Sequence, residues 1–121
     1  MQAILVDDEA NNNESLKFLL ERYCPSLTIA GIADDAQSAE LLIREKEPDL
    51  VFLDIEMPYG NAFELLNRLA PVQFAVIFVT AFDSYAIKAI RYAALDYLLK
   101  PVNINDLKNA VQKAAGYLEK K

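Results

Sequence analysis

Five short apolar runs, each followed by a stretch with helical periodicity, constrain this chain more than any other feature. The runs are AILV (3–6), LTIAGI (27–32), LVFL (50–53), AVIFV (75–79) and DYLL (96–99). After each, apolar residues recur three and four positions apart, the signature of one helix face. Leu16, Leu19, Leu20 and Tyr23 form the first stripe, Ala39, Leu42 and Ile43 the second, and Ala62, Leu65, Leu66 and Leu69 the third. Ile87, Ile90 and Ala94 make a fourth, and Ile104, Leu107, Val111, Ala114 and Leu118 a fifth. Residues able to cap helix starts precede or open these segments: Asn11 to Asn13, Asp35, Asn61, Asp83 or Ser84, and Asn103.

The runs do not alternate strictly between apolar and polar, so both faces of each strand are expected to be buried, as in a parallel sheet covered by helices. Right-handed crossovers then distribute the helices over both sides. The expected fold is α/β: a flavodoxin-like (βα)5 chain with a doubly wound five-stranded parallel sheet in the order 2-1-3-4-5. Residues 1–121 are read as one domain, with no linker, repeat or low-complexity segment.

A net charge of −6 makes direct nucleic-acid binding by this domain unfavourable, because phosphates are repelled. No apolar run is long enough to span a membrane, and the first apolar stretch runs straight into acids, unlike a secretory leader. With a single cysteine, Cys24, no internal disulfide forms; Cys24 reads as a small hydrophobe near a helix end, and the expected location is cytoplasmic. The absence of histidine removes imidazole catalysis and the usual zinc sites.

Sites in such a sheet form at the carboxyl ends of the strands, where the strand order reverses. That point lies between the first strand, which runs into Asp7, Asp8 and Glu9, and the third, which runs into Asp54. Gathered carboxylates repel one another unless a cation joins them, and an oxygen-only set suits Mg²⁺, with Mn²⁺ as a substitute. The fourth strand ends in Thr80 and the fifth in Lys100. A divalent cation, an ammonium and a hydroxyl together suit a phosphoryl group, and Asp54 is the carboxylate left to act as nucleophile.

The stretches ILVDDE, VFLDIEMP, IFVTAF and DYLLKPV, in this order and spacing, resemble the receiver domain of bacterial two-component response regulators. The resemblance implies that Asp54 accepts a phosphoryl group from a histidine of a sensor kinase. It implies that Asp8 ligates Mg²⁺ directly, that Asp7 acts mainly through water, and that the backbone carbonyl of Glu56 is a further ligand. By the same resemblance Thr80 and Lys100 would bind the phosphoryl oxygens, and Tyr97 would be the aromatic switch that follows Thr80. It also implies a cis Lys100–Pro101 bond. The segment TAFDSYAIKAIRYAALDYLLKPV further resembles receivers that precede a LytTR-type DNA-binding domain, which here would follow Lys121. The loop YGNAF departs from the family by having Ala62 where glycine is frequent, with Gly60 and Asn61 expected to supply the turn.

The expected function is a phosphorylation-controlled signalling switch that is not a turnover enzyme. Phosphorylation would alter the face made by the fourth helix, fifth strand and fifth helix, and favour a homodimer through it. Two alternatives stay open: a Mg²⁺-dependent phosphatase with an aspartyl nucleophile, in which Glu56 stands where a general-acid aspartate is wanted, and a non-switching interaction module of the same fold.

Overall fold

Side-chain alternation along each strand decides how this chain folds into layers. In the computed structural model, which describes residues 1–120, the strands are β1 (Gln2–Val6), β2 (Thr28–Ala33), β3 (Leu50–Leu53), β4 (Glu56–Met57), β5 (Gly60–Asn61), β6 (Ala75–Thr80) and β7 (Asp96–Leu99). The helices are α1 (Ala10–Tyr23), α2 (Ala36–Lys46), α3 (Ala62–Arg68), α4 (Ala86–Arg91) and α5 (Ile104–Glu119). The five long strands pair in parallel in the order β2-β1-β3-β6-β7, the expected doubly wound order with β6 and β7 as its fourth and fifth members.

On one face, Ile4, Val6, Val51, Leu53, Val76 and Phe78 meet α2, α3 and α4. On the other, Ala3, Leu5, Phe52, Ile77 and Val79 meet α1 and α5. Successive residues of one strand thus serve opposite cores, which explains why the central strands read as continuous apolar runs. Cys24 is buried at the C-cap of α1, where its N–H donates to Leu20 O, and burial pushes its thiol up.

Caps at three helices match expectation: Asp35 accepts from Ser38 N–H, Asn61 from Glu64 N–H, and Asn103 from the N–H groups of Asn105 and Asp106. The other two do not. Helix α1 starts ahead of the asparagine run: Glu9 is its N-cap, and Asn13 faces inward instead. Helix α4 is capped at Tyr85 rather than at Asp83 or Ser84.

The fourth apolar stripe is also corrected. Ile87 and Ile90 are 72% and 75% exposed, and Ala89 is the buried position of α4. Aromatic rings do the inward packing, because the small Ala89 lets a short helix lie close while Tyr85 and Tyr92 reach Phe63, with centroids 6.0 and 5.0 Å away. Lys88 extends over the same Phe63 ring at 4.6 Å.

The short β4–β5 hairpin was not expected. The two-residue turn is made by Pro58 and Tyr59, Tyr59 and the first β5 residue Gly60 take positive φ (63° and 143°), and Asn61 serves as the α3 cap. Ala62, in place of the family's frequent glycine, is fully buried and donates its N–H to Ile55 O.

Candidate functional site

Strand register brings the acids together. Val6 pairs with Leu53 across β1 and β3, so the next residues, Asp7 and Asp54, emerge side by side at the carboxyl edge. The Asp54 N–H donates to Val6 O and the Asp7 N–H to Ala33 O, which carries the ladder one residue past the strands. Asp7 and Asp54 are buried and Asp8 is exposed. One carboxylate oxygen from each of the three lies within 4.8 Å of the others.

Lys100 sits between two of these acids. Its Nζ donates to Asp7 Oδ2 at 2.6 Å and to Asp54 Oδ2 at 2.9 Å. Burial alone would favour the neutral amine, but the hydrogen bonds and attraction of both carboxylates outweigh it, and the ammonium is held above the usual lysine value. The Lys100–Pro101 peptide is cis, as the resemblance implied, and so is Ala70–Pro71. The Lys100 N–H donates to Thr80 O, which aligns the ends of β6 and β7.

The remaining oxygens have local donors. Asp54 Oδ1 accepts from Ile55 N–H at 2.7 Å, and Asp7 Oδ1 from Glu9 N–H at 2.9 Å. Asp8 is held above the usual carboxylate range, first by desolvation, then by the negative charge of Asp7, with Asp54 and Glu9 adding to it. A crowded anionic site of this kind favours a cation. The three carboxylates fit an oxygen-coordinated divalent ion such as Mg²⁺, a hard cation that takes one or two carboxylates and keeps waters.

Thr80 is fully buried at the end of β6, and its hydroxyl accepts from Phe82 N–H at 3.4 Å. Tyr97 is half-buried on β7; its ring packs against Phe78 and its hydroxyl donates to the Phe82 carbonyl. Phe82 therefore connects Thr80 to Tyr97, a link that no local sequence pattern announces. Glu56 is exposed on β4, outside the three-carboxylate group, and its Oε2 accepts from the Tyr85 hydroxyl at 3.2 Å.

Sequence reasoning located Asp7, Asp8, Asp54, Thr80 and Lys100 at one rim, and the structure brings them there. It missed Asn12 and Asn13, whose side-chain amides both contact Asp7. The signal available was three consecutive asparagines in a helix that needs only one cap.

Comparison with known proteins agrees with this arrangement. Residues 3–112 match the family model for the response regulator receiver domain. An uncharacterized response regulatory protein of Vibrio cholerae is 40% identical over 113 residues, covering 92% of this chain and 43% of the relative. The sensory transduction protein LytT of Bacillus cereus is 38% identical over 115 residues, covering 93% of this chain and 46% of that protein. The chain thus spans just under half the length of the curated relatives it matches. Among solved structures, the response regulatory domain of mrkE from Klebsiella pneumoniae superposes with a TM-score of 0.90 at 27% identity, covering all of both chains. The REC domain of AraT from Geobacillus stearothermophilus gives 0.89 at 28% identity over 98% of this chain and 95% of that one. The chain belongs to the family of response regulator receiver domains.

Proposed function

We propose that this domain is a phosphorylation-controlled switch in which Asp54 accepts a phosphoryl group from a phosphohistidine of a sensor kinase. An Asp54 carboxylate oxygen attacks phosphorus; the O–P bond forms as the donor's N–P bond breaks, and the electron pair leaves with the imidazole nitrogen, which takes up a proton. Loss of the group to water returns the carboxylate and inorganic phosphate. The protein is a reactant restored by hydrolysis, not a turnover enzyme.

The observation that carries this reading is the Lys100 ammonium 2.9 Å from Asp54 Oδ2, on a carboxylate that also lies within 4.8 Å of Asp7 and Asp8 oxygens. Asp8, Asp54 and the Glu56 carbonyl would hold Mg²⁺ or Mn²⁺, with Asp7 acting through water; when bound, the cation supplies positive charge for the phosphoryl oxygens. Lys100 and the Thr80 hydroxyl bind the other oxygens. Thr80 then leaves its partner Phe82, and Tyr97, tied to the same residue, follows it. The changed surface is α4, β7 and α5, which governs an output domain following Lys121. The likeness to LytT suggests a LytTR-type, DNA-binding output acting in transcription, in the cytoplasm. Among the described residues, no helix is long and apolar enough to cross a membrane.

The test is intact mass after treatment with acetyl or carbamoyl phosphate and Mg²⁺. One phosphoryl group should be gained by the wild type and none by Asp54→Asn. Equal labelling of the variant overturns the assignment, and steady turnover of a generic phosphomonoester would favour the phosphatase reading.

A further inference from the structure

The run of asparagines is left unexplained by capping. Asn13 is 3% exposed, and its side-chain amide donates to the main-chain carbonyls of Asp7 at 3.0 Å and Ala33 at 3.3 Å. The Asp7 N–H donates to the same Ala33 carbonyl, so one side chain ties the ends of β1 and β2 to the first turn of α1. Asn12 acts on the other half of the same residue, its amide lying 3.4 Å from Asp7 Oδ1.

The Asp7 carbonyl belongs to the peptide unit that leads into Asp8. Because that unit is planar, holding its oxygen fixes the direction in which the chain enters Asp8. Asp8 is the acid that most needs such a restraint: it is the exposed member of the three, and Lys100 pairs with Asp7 and Asp54 but not with Asp8. A neutral amide restrains the chain without adding charge, so it leaves the site's attraction for a cation intact.

We propose that Asn13 is a positioning residue for the divalent-cation site, its buried amide locking the Asp7–Asp8 peptide so that Asp8 stays gathered with Asp7 and Asp54. The proposal rests on the reading of these acids as a Mg²⁺ site. Asn13 touches neither cation nor phosphoryl group; it acts through the main chain of the acidic pair.

The experiment compares wild type, Asn13→Leu, Asn13→Ser and the exposed control Asn11→Ala. Leu fills the buried space without donating, and Ser keeps one donor, so at least one folded variant is expected. Mg²⁺ binding is followed by calorimetry and by the Mg²⁺-induced rise in melting temperature, with labelling by acetyl phosphate measured across a Mg²⁺ titration. The Mg²⁺ dissociation constant should rise about tenfold in Asn13→Leu, less in Asn13→Ser and not in Asn11→Ala, as for other residues that orient metal ligands. The labelling rate at saturating Mg²⁺ should stay within about twofold of wild type, because the reacting groups are untouched. Unchanged Mg²⁺ affinity in a folded Asn13 variant overturns the proposal, as does a rate loss that saturating Mg²⁺ does not restore. Absence of Mg²⁺ binding by the wild type would instead overturn the reading of the acids, and this proposal with it.

Discussion

The Lys100 ammonium lies 2.9 Å from Asp54 Oδ2 although 46 residues separate the two in the chain. Their meeting depends on the positions of two parallel strands: β3 places Asp54 at its carboxyl end, and β7 does the same for Lys100 with β6 between them. The same Nζ reaches Asp7 Oδ2, so one cation serves two of the three acids.

Replacing Lys100 by Met should therefore act on both stability and chemistry. Two buried carboxylates lose their charged partner, a loss of about 1–2 kcal/mol once solvent screening is allowed for. Labelling of Asp54 by acetyl phosphate should slow on the order of 10²-fold, the usual effect of removing one donor from a developing anionic group. Urea unfolding and a mass time course check the two halves separately. Wild-type labelling by Lys100→Met would remove the lysine from the phosphoryl site.

Asp8 makes the opposite prediction. Desolvation and three neighbouring acids disfavour its charge, so Asp8→Asn should stabilise the domain in the absence of divalent ions, by at most about 1 kcal/mol because the residue is exposed. The same variant should lose most of the Mg²⁺-induced gain in melting temperature, whereas Asp7→Ala should lose less. Thermal melts with EDTA and with Mg²⁺ decide it. Full Mg²⁺ stabilisation in both variants would move the metal elsewhere.

How far the sequence reveals the site follows from these geometries. Asp7, Asp54, Thr80 and Lys100 end or directly follow strands, and the doubly wound order alone converges strand ends, so local patterns sufficed. Asn13 was read as a cap because its inward contacts run to Ala33, 20 residues away, and local periodicity is silent about such partners. The α4 stripe misled for a related reason. Isoleucines at helical spacing announce a buried face, but Phe63, Tyr85 and Tyr92 fill the space beneath the helix and turn Ile87 and Ile90 outward. The Pro58–Tyr59 turn escaped notice because a tyrosine gives no local sign that its φ will be positive.

Away from the site, Glu40 joins α2 to α3 by accepting from Arg68 Nε at 2.8 Å and Arg44 at 3.1 Å. The hydrogen bond from Arg68, then that from Arg44, hold its carboxyl below the usual value of 4.5. A lowered acid stabilises the fold above its ordinary value and loses that contribution as pH falls through the folded value. Glu40→Gln should therefore melt below wild type at pH 7, with the gap narrowing as pH falls below the usual value of 4.5 and through the lowered folded value. A gap that persists in strong acid would assign Glu40 a packing role instead of an ionic one.

The last prediction concerns the α4–β7–α5 surface. Ile87, Ile90 and the 47%-exposed Leu99 place apolar area there, and Arg91 and the Asp96–Lys113 pair supply charges of both signs. A symmetric interface requires a self-complementary patch, and apolar area flanked by charges of both signs supplies the chemistry for one. Helix α4 is held down by Phe63 and by tyrosine hydroxyls on Glu56 and Asn67, so a modest free-energy bias is enough to shift it. Moving a two-state element from mostly one form to mostly the other takes about 5.5 kcal/mol, within reach of a phosphoryl group paired with Lys100 and a divalent ion. The unmodified domain should be monomeric or weakly associated, and the beryllium fluoride form at matched Mg²⁺ a tighter symmetric dimer. Ile90→Ser should leave stability within about 0.5 kcal/mol, since the side chain is exposed, yet abolish that dimer. Sedimentation velocity on all four samples is the measurement. If the mimic leaves the wild type monomeric at high concentration, the homodimer reading is overturned.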